Sequence, residues 1–457
     1  MSVLSKGGLP LTHDAARNAA QGVLDYPGTD GVEVLIGVSS LGLTRYANSQ
    51  IIQNTARNEV RATVRAITGD RSAAATTTQL DQEHLMTAAG RALEAAKASL
   101  PDADFPGLPS PDQVGRAEAV MRVDEATAES SPTARAQAVG RILAAASSDN
   151  TAGIYETGVH CYGVFSSEGI DCFDAFTRCN TTCLVDLGGP TGWGEASSYA
   201  ASQVDFEAAA RRAKSKAEKS HNAIDIEPGT YEVILEPSAV ALLCDYLAYT
   251  GFGAKQVIEG ESFLSTRQGK TVAAPSITIA DDVRHPVSVG IAFDFEGVPK
   301  QRVAVIENGV AERPVTDLRT ARKLGVPPTG HFSGSNEFGP YPFNVVMDAG
   351  TSSAEDLIAS VDEGILVTRF HYVNILDRPA TLLTGMTRDG TFRISKGEIA
   401  EPVHNFRFAQ SVLDALASVQ GVGSELVSIA PDYSSFGSTV APALRVGEFR
   451  FASKTSH

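Results

Sequence analysis

Residues 363–408 read EGILVTRFHYVNILDRPATLLTGMTRDGTFRISKGEIAEPVHNFRF. Two runs within them, GILVTRFHYVNIL and GMTRDGTFRISKGEI, are rich in β-branched and aromatic residues and are punctuated by Gly, Pro and Asp. Such side chains pack well on a pleated surface, and the punctuating residues supply turn backbone, so the stretch reads as short strands joined by turns. Thr387, Arg388, Asp389 and Gly390 read as a hairpin turn, because Asp-Gly tolerates the positive φ that a tight turn demands. Arg369 and Tyr372 fall on a strand and face either a cavity or a partner chain.

The same texture continues outward. YEVILEP, SITIADD, RVAVIENG and FNVVMDAG precede the stretch and PALRVGEFRF follows it, with few helical interruptions between them. Residues 224–457 therefore read as a mainly antiparallel β domain, a curved sheet or partial barrel.

Residues 1–223 differ. A helical segment ends at Leu24, and GVEVLIGVSS, LTRYANSQII and NEVRATVRAIT then alternate apolar with polar residues, with breaks near Gly42 and near Arg57 and Asn58. This predicts a three-stranded antiparallel meander with one wet face. DQEHLMTAAGRALEAAKASL has helical spacing and stops before Pro101, giving an αβββα opening. PDADFPGLPSP carries four prolines in eleven positions, so residues 101–112 read as a linker. A second unit partly echoes the first, with helix SPTARAQAVGRILAAASS, strands GIYETGVHCYGVFSS and CFDAFTRCNTTCLVDLG, and helix DFEAAARRAKSKAEKSH. The fold class is α+β, with an N-terminal α/β-sandwich-like domain of antiparallel sheets before the β domain.

At 457 residues the chain exceeds one ordinary core, and two sizeable domains follow. Lys+Arg 38 against Asp+Glu 54 leaves a net charge of −16, which repels phosphate backbones and anionic lipid. Nucleic acid and membrane are thus excluded as partners. The start, MSVLSKGGLP, lacks a charged leader with an apolar run behind it, and no later window approaches a membrane span, so a cytoplasmic chain with reduced thiols is expected.

His160, Cys161, Cys172, Cys179 and Cys183 cluster in sequence. Strand residues four apart lie about 13 Å from each other, so these thiols read as structural and buried rather than as an ion's ligands. DLGGPTGWGE has no lysine and no phosphate-loop spacing and reads as a loop. RRAKSKAEK, residues 211–219, reads as a solvated helix face. His331 lies in PPTGHFSGSNEFGP, a polar loop of the kind that lines binding sites.

Together, the 363–408 stretch, ARKLGVPPTGH at 321–331, AFDFEGVPKQRVAVIENGVAE before it and the N-terminal RYANSQIIQ resemble the TldD/PmbA family, described also as modulators of DNA gyrase, and within it the PmbA/TldE branch. The resemblance implies two chains paired around a cavity, with His-Glu-x-x-x-His and a later Cys holding zinc in the catalytic branch. Imidazole and thiolate suit zinc, and the Glu acts as base toward bound water. Here the matching segment is PSAVALLCDYLAYTGFG, which puts Cys244, Asp245 and Tyr249 at those positions, and the final stretch has no cysteine. Tyrosine stays protonated to a pKa near ~10, so this is a poor zinc set.

The resemblance thus implies a TldE-like subunit with no catalytic residue, metal or cofactor of its own, pairing with a TldD-like zinc metallopeptidase and helping to hold a peptide substrate. His331, Arg369, Tyr372 and Arg388 are its candidate substrate or partner contacts. Two alternatives remain: an independent peptidase or amide hydrolase with relocated ligands or a Cys244 nucleophile served by His331 or His371, and a homodimeric peptide-binding protein.

Overall fold

The computed structural model describes residues 8–431 and 436–455. One unit occurs twice in the N-terminal half. The first comprises α1 (His13–Leu24), β1 (Gly31–Ala47), β2 (Gln50–Thr68), β3 (Arg71–Thr77) and α2 (Gln82–Ala98). After the short helices α3 (Pro111–Val114) and α4 (Glu125–Ala128) come α5 (Pro132–Ala146), β4 (Thr151–Ser166), β5 (Asp171–Asp186), β6 (Thr191–Ser198) and α6 (Phe206–Lys219). Thr12, Asp81, Ser131 and Asp205 cap the four long helices by accepting a backbone N–H in the first turn.

All six strands form one antiparallel sheet in the order β3-β2-β1-β4-β5-β6. The first strands of the two units are the central pair, so the echo in the sequence is realised as an approximate two-fold relation in the sheet. One face of the sheet packs on the helices, through Val34, Ile36, Val159 and Cys161 at one end and Tyr155, Cys179 and Cys183 at the other. A wet face was expected for the three-stranded meander β1–β3. On the sheet face opposite the helices, Val164 of β4 and Cys172 and Phe176 of β5 bury against Val289, Ile291, Phe293 and Phe436 from the C-terminal half, with Leu35 of β1 partly buried beside them.

Strand boundaries differ from the expected ones. Gly42 interrupts nothing, because β1 runs straight through it and a Cβ there would lie 2.2 Å from the Arg135 guanidinium. The chain reverses instead at Asn48 and Ser49, with φ of 49° and 56°, and the third strand is the Ala-rich RSAAATT. DLGGPTGWGE is only partly a loop, since Thr191–Ser198 is β6. The two glycines within β6 serve packing: a Cβ on Gly192 would stand 2.0 Å from the Ala213 carbonyl of α6 and one on Gly194 1.9 Å from the Ala209 carbonyl. The 101–112 segment is irregular but anchored. Arg319 pairs with Asp102, Lys323 Nζ lies 2.7 Å from Asp104, and Arg322 donates to the Phe105 carbonyl at 2.8 Å.

The C-terminal half holds two sheets rather than one. Its elements are β7 (Thr230–Leu235), α7 (Pro237–Gly251), α8 (Ala254–Ile258), α9 (Leu264–Arg267), β8 (Ile279–Asp281), β9 (Val303–Glu307), β10 (Val310–Ala311), α10 (Leu318–Leu324), β11 (Asn344–Met347) and α11 (Ala354–Ala359). Then follow β12 (Glu363–Asp377), β13 (Leu382–Ser395), β14 (Glu398–Pro402), β15 (Phe406–Ser411), α12 (Val412–Ala417), β16 (Val419–Val422), β17 (Val427–Ile429), β18 (Ser438–Ala441) and β19 (Leu444–Lys454).

Strands β12-β7-β19-β15-β13 form a ring, closed by pairing of β13 with β12 and antiparallel except at β7–β12. Aromatic rings of Phe370, Phe406, Phe408, Phe449 and Phe451 crowd its core. The second sheet, β10-β9-β8-β11-β18-β17, contains one parallel pair, β11–β18. Helix α7 packs against β7 and β12 of the ring and β11 and β18 of the second sheet, which explains its apolar residues on nearly all sides. No helix among the described residues is long and apolar enough to cross a membrane.

Candidate functional site

Pro237 starts α7 at the position where its missing N–H costs nothing, and the helix then runs unbroken to Gly251. Leu242, Asp245, Tyr246 and Tyr249 recur at helical spacing and face a cleft of about 590 Å³. Phe338, Tyr341, Phe343, Phe436 and Thr439 complete its walls. Thr439 donates its hydroxyl to the Asp245 carboxylate, and Tyr246 donates to the Val373 carbonyl at 2.5 Å. Tyr249 stays exposed between the Phe338 ring, 5.7 Å away, and the Arg378 guanidinium, 5.5 Å away. Burial pushes the Tyr341 hydroxyl well above its ordinary pKa, and the Asp245 charge adds to the shift.

Cys244 does not share this cleft. Asp245 and Tyr249 line the cleft, whereas the Cys244 side chain turns into the core. Cys244 is 1% exposed in the core, where burial first and Asp245 second raise its thiol far above the ordinary range. A protonated core thiol is not a nucleophile. The zinc implied by the resemblance finds no fitting donor set here, because one donor is buried away from the cleft, one is held by Thr439 and one is a phenol. Among the described residues no three His, Cys, Asp or Glu side chains gather as an ion's ligands would.

His331 was expected to be a substrate or partner contact, a helper to Cys244 or a hydrogen-bonding structural residue. It is wholly enclosed, with Nδ1 2.9 Å from the Thr329 hydroxyl and Nε2 3.1 Å from Asp281. The latter approach is close enough for an ion pair but is not aligned as a hydrogen bond. Burial raises the Asp281 carboxyl, yet the charges of His331 and Lys300 outweigh it and hold the group below its ordinary value. Burial lowers the Lys300 ammonium, which donates to Asn344 at 3.1 Å.

Around this core lies a polar seam that joins the two halves of the chain. Asp294 accepts the backbone N–H groups of Glu296, Val298 and Phe332, and burial raises its carboxyl and that of Glu296. Arg65 of β2 bridges Glu33 of β1, at 2.9 Å, and Glu296, at 3.6 Å. Asp174 of β5 accepts the Ala292 N–H at 2.9 Å. These contacts make the region an interface within the chain and close His331 to any ligand or partner.

Thr387–Gly390 is not a turn either, since it lies inside β13. Pairing steps from Val367↔Thr391 to Arg369↔Arg388, so Asp389 and Gly390 together oppose Thr368 in a β-bulge with φ of 57° and 127°. Asp-Gly serves the bulge for the reason it suits a turn. The bulge turns Asp389 inward, where it pairs with Arg369 and lies 3.8 Å from Arg388. Tyr372, at a second irregularity in β12, projects outward and is 70% exposed with its ring beside His371.

All five cysteines are buried and unpaired. Cys161 lies on β4 and Cys172, Cys179 and Cys183 on β5, where burial leads in raising the thiols of Cys161, Cys172 and Cys179 to about 12 and that of Cys183 to about 11. Sequence reasoning missed the aromatic wall of the cleft, although the density of rings in NEFGPYPF, residues 336–343, signals it.

Comparison with known proteins covers both sequence and fold. Residues 228–453 match the PmbA/TldA metallopeptidase C-terminal domain. A metalloprotease of Methanothermobacter thermautotrophicus is 27% identical over 230 residues, covering 48% of this chain and 49% of that protein. A TldD-homologue metalloprotease of Buchnera aphidicola is 30% identical over 206 residues, 43% of this chain and 41% of that protein. The matched part thus spans about half the length of these relatives or less. TldE from Thermococcus kodakarensis superposes with a TM-score of 0.84 at 21% identity, over 96% of this chain and 99% of that one. A Thermotoga maritima protein described as a putative modulator of a DNA gyrase superposes with a TM-score of 0.80 at 21% identity, over 96% of this chain and 100% of that one. The sequence motifs, the ring with its α7 helix and these matches place the chain in the PmbA/TldD family of metallopeptidase-like proteins.

Proposed function

We propose that this chain is a non-hydrolytic, TldE-like subunit of a peptide-cleaving complex. It pairs with a TldD-like zinc metallopeptidase and contributes cavity wall and peptide-binding surface, while the partner supplies zinc and bond cleavage. The side chains at three positions of α7 carry the reading: a core thiol at Cys244, a carboxylate held by Thr439 at Asp245 and a phenol at Tyr249 stand where the catalytic branch has its ligands and base. The fold match to TldE over 96% of the chain supports it as well. The alternative of a thiol hydrolase finds no support in the core position of Cys244 or the enclosure of His331.

Co-expression with a family member that carries His-Glu-x-x-x-His tests this reading. The two chains are expected to co-elute as a heterodimer, and hydrolysis of an unfolded peptide should require both. A homodimer that ignores the paralogue would refute the pairing.

A further inference from the structure

On the far side of α7's N-terminus from the aromatic cleft lies a groove of about 470 Å³, within the roughly 300–1,000 Å³ usual for ligand sites. Two sheet edges flank it. β6 is the last strand of the N-terminal sheet and β17 the last of the second C-terminal sheet, and the two approach without pairing. Trp193 to Tyr199 line one side and Leu426 to Ile429 the other, while Ile234, Leu366, Thr368 and Ala443 form an apolar floor on the outside of the ring.

The β6 edge presents its hydrogen-bonding groups to this space. Arg212, itself in the groove, donates to the Glu195 carbonyl at 2.9 Å, so Glu195 directs its backbone away from β5. By the alternation of an antiparallel strand, Trp193 and Ser197 do the same. Thr368 and Ser428, both among the groove's lining residues, have buried hydroxyls without a hydrogen-bond partner.

We infer that this groove binds an extended peptide segment, which adds to the β6 edge through main-chain hydrogen bonds and lays alternate side chains on the floor between β6 and β17. The inference rests on the peptide-binding reading above and gives it a location apart from the α7 cleft. Specificity comes from backbone and shape, because the charges at the rim are already engaged: Lys216 pairs with Glu236, and Glu195 accepts from Ser238.

The test uses the full chain and a fluorescein-labelled peptide of alternating Val and Thr, matched to the eight residues of β6, beside the same peptide N-methylated at alternate residues. Anisotropy should show saturable binding of the first and a loss of about tenfold or more for the second. Hydrogen exchange should show new protection at Trp193, Glu195 and Ser197. Ser197→Pro, which removes one edge donor, should abolish binding; should that variant not fold, the N-methylated peptide still decides. Equal binding of both peptides overturns the inference. Protection confined to Tyr249 and Phe338 overturns the groove but leaves peptide binding standing, whereas no peptide binding by the chain or its complex removes both.

Discussion

Arg369 lays its guanidinium over the Trp193 ring, with the central carbon 3.9 Å from the ring centre, and the same group pairs with Asp389. Ring strand β12 is thereby joined to edge strand β6 by one cation that has both a π face and a carboxylate. Asp389 is 1% exposed, so Arg369→Ala strands a buried charge, and the expected loss is about 3–5 kcal/mol in urea unfolding. Adding Asp389→Asn should recover part of that loss. Equal stability of Arg369→Ala and the parent would show that the pair does not hold the junction.

Gly390 sits at a φ of 127°, and a Cβ there would lie 2.7 Å from the Thr368 hydroxyl. Gly390→Ala should cost about 1–3 kcal/mol, seen as a lowered melting temperature. An unchanged melt would mean that the bulge relaxes freely.

His160 stacks on Phe176 at 4.7 Å, and burial, then the charges of Arg178 and Arg57, lower its imidazole from 6.5 to about 3. The unfolded chain therefore takes the proton first. This contribution to stability is complete above pH 6.5 and is lost as pH falls toward 3, at up to about 1.4 kcal/mol per pH unit. Measured between about pH 6.5 and 5, the unfolding free energy of His160→Phe should be flatter than the parent's by that slope. Identical slopes would contradict a buried neutral imidazole.

Restoring the motif letters should not restore the metal. A Cys244→His, Asp245→Glu, Tyr249→His variant restores the motif's residues and spacing but still lacks the later cysteine, since no cysteine follows position 244. Zinc content by elemental analysis should stay well below one ion per chain. Stoichiometric zinc would show that the three restored side chains suffice without the later cysteine.

Strand texture and turn residues made most of the β architecture legible, and residues 363–408 are strands as read. What escaped was decided by contacts remote in sequence. Gly42 is crossed by Arg135 rather than turned, and Asp389–Gly390 bulges because a partner strand pairs on both sides. His331 in a polar loop looked available, but Asp281 and Thr329 enclose it from segments that no local pattern connects. The α7 positions were legible as residue types, whereas the burial of Cys244 depends on the two sheets that pack around α7. The groove beside β6 was not, since an unpaired edge exists only once the whole sheet order is known.

Zinc stoichiometry with peptide hydrolysis, measured on the purified chain alone and again with the proposed TldD-like partner, tests the central claim most directly. The account predicts far less than one zinc per chain and no cleavage alone, with cleavage appearing in the complex and lost when the partner's motif glutamate is replaced by Gln. Near-stoichiometric zinc with hydrolysis by the chain alone would contradict it.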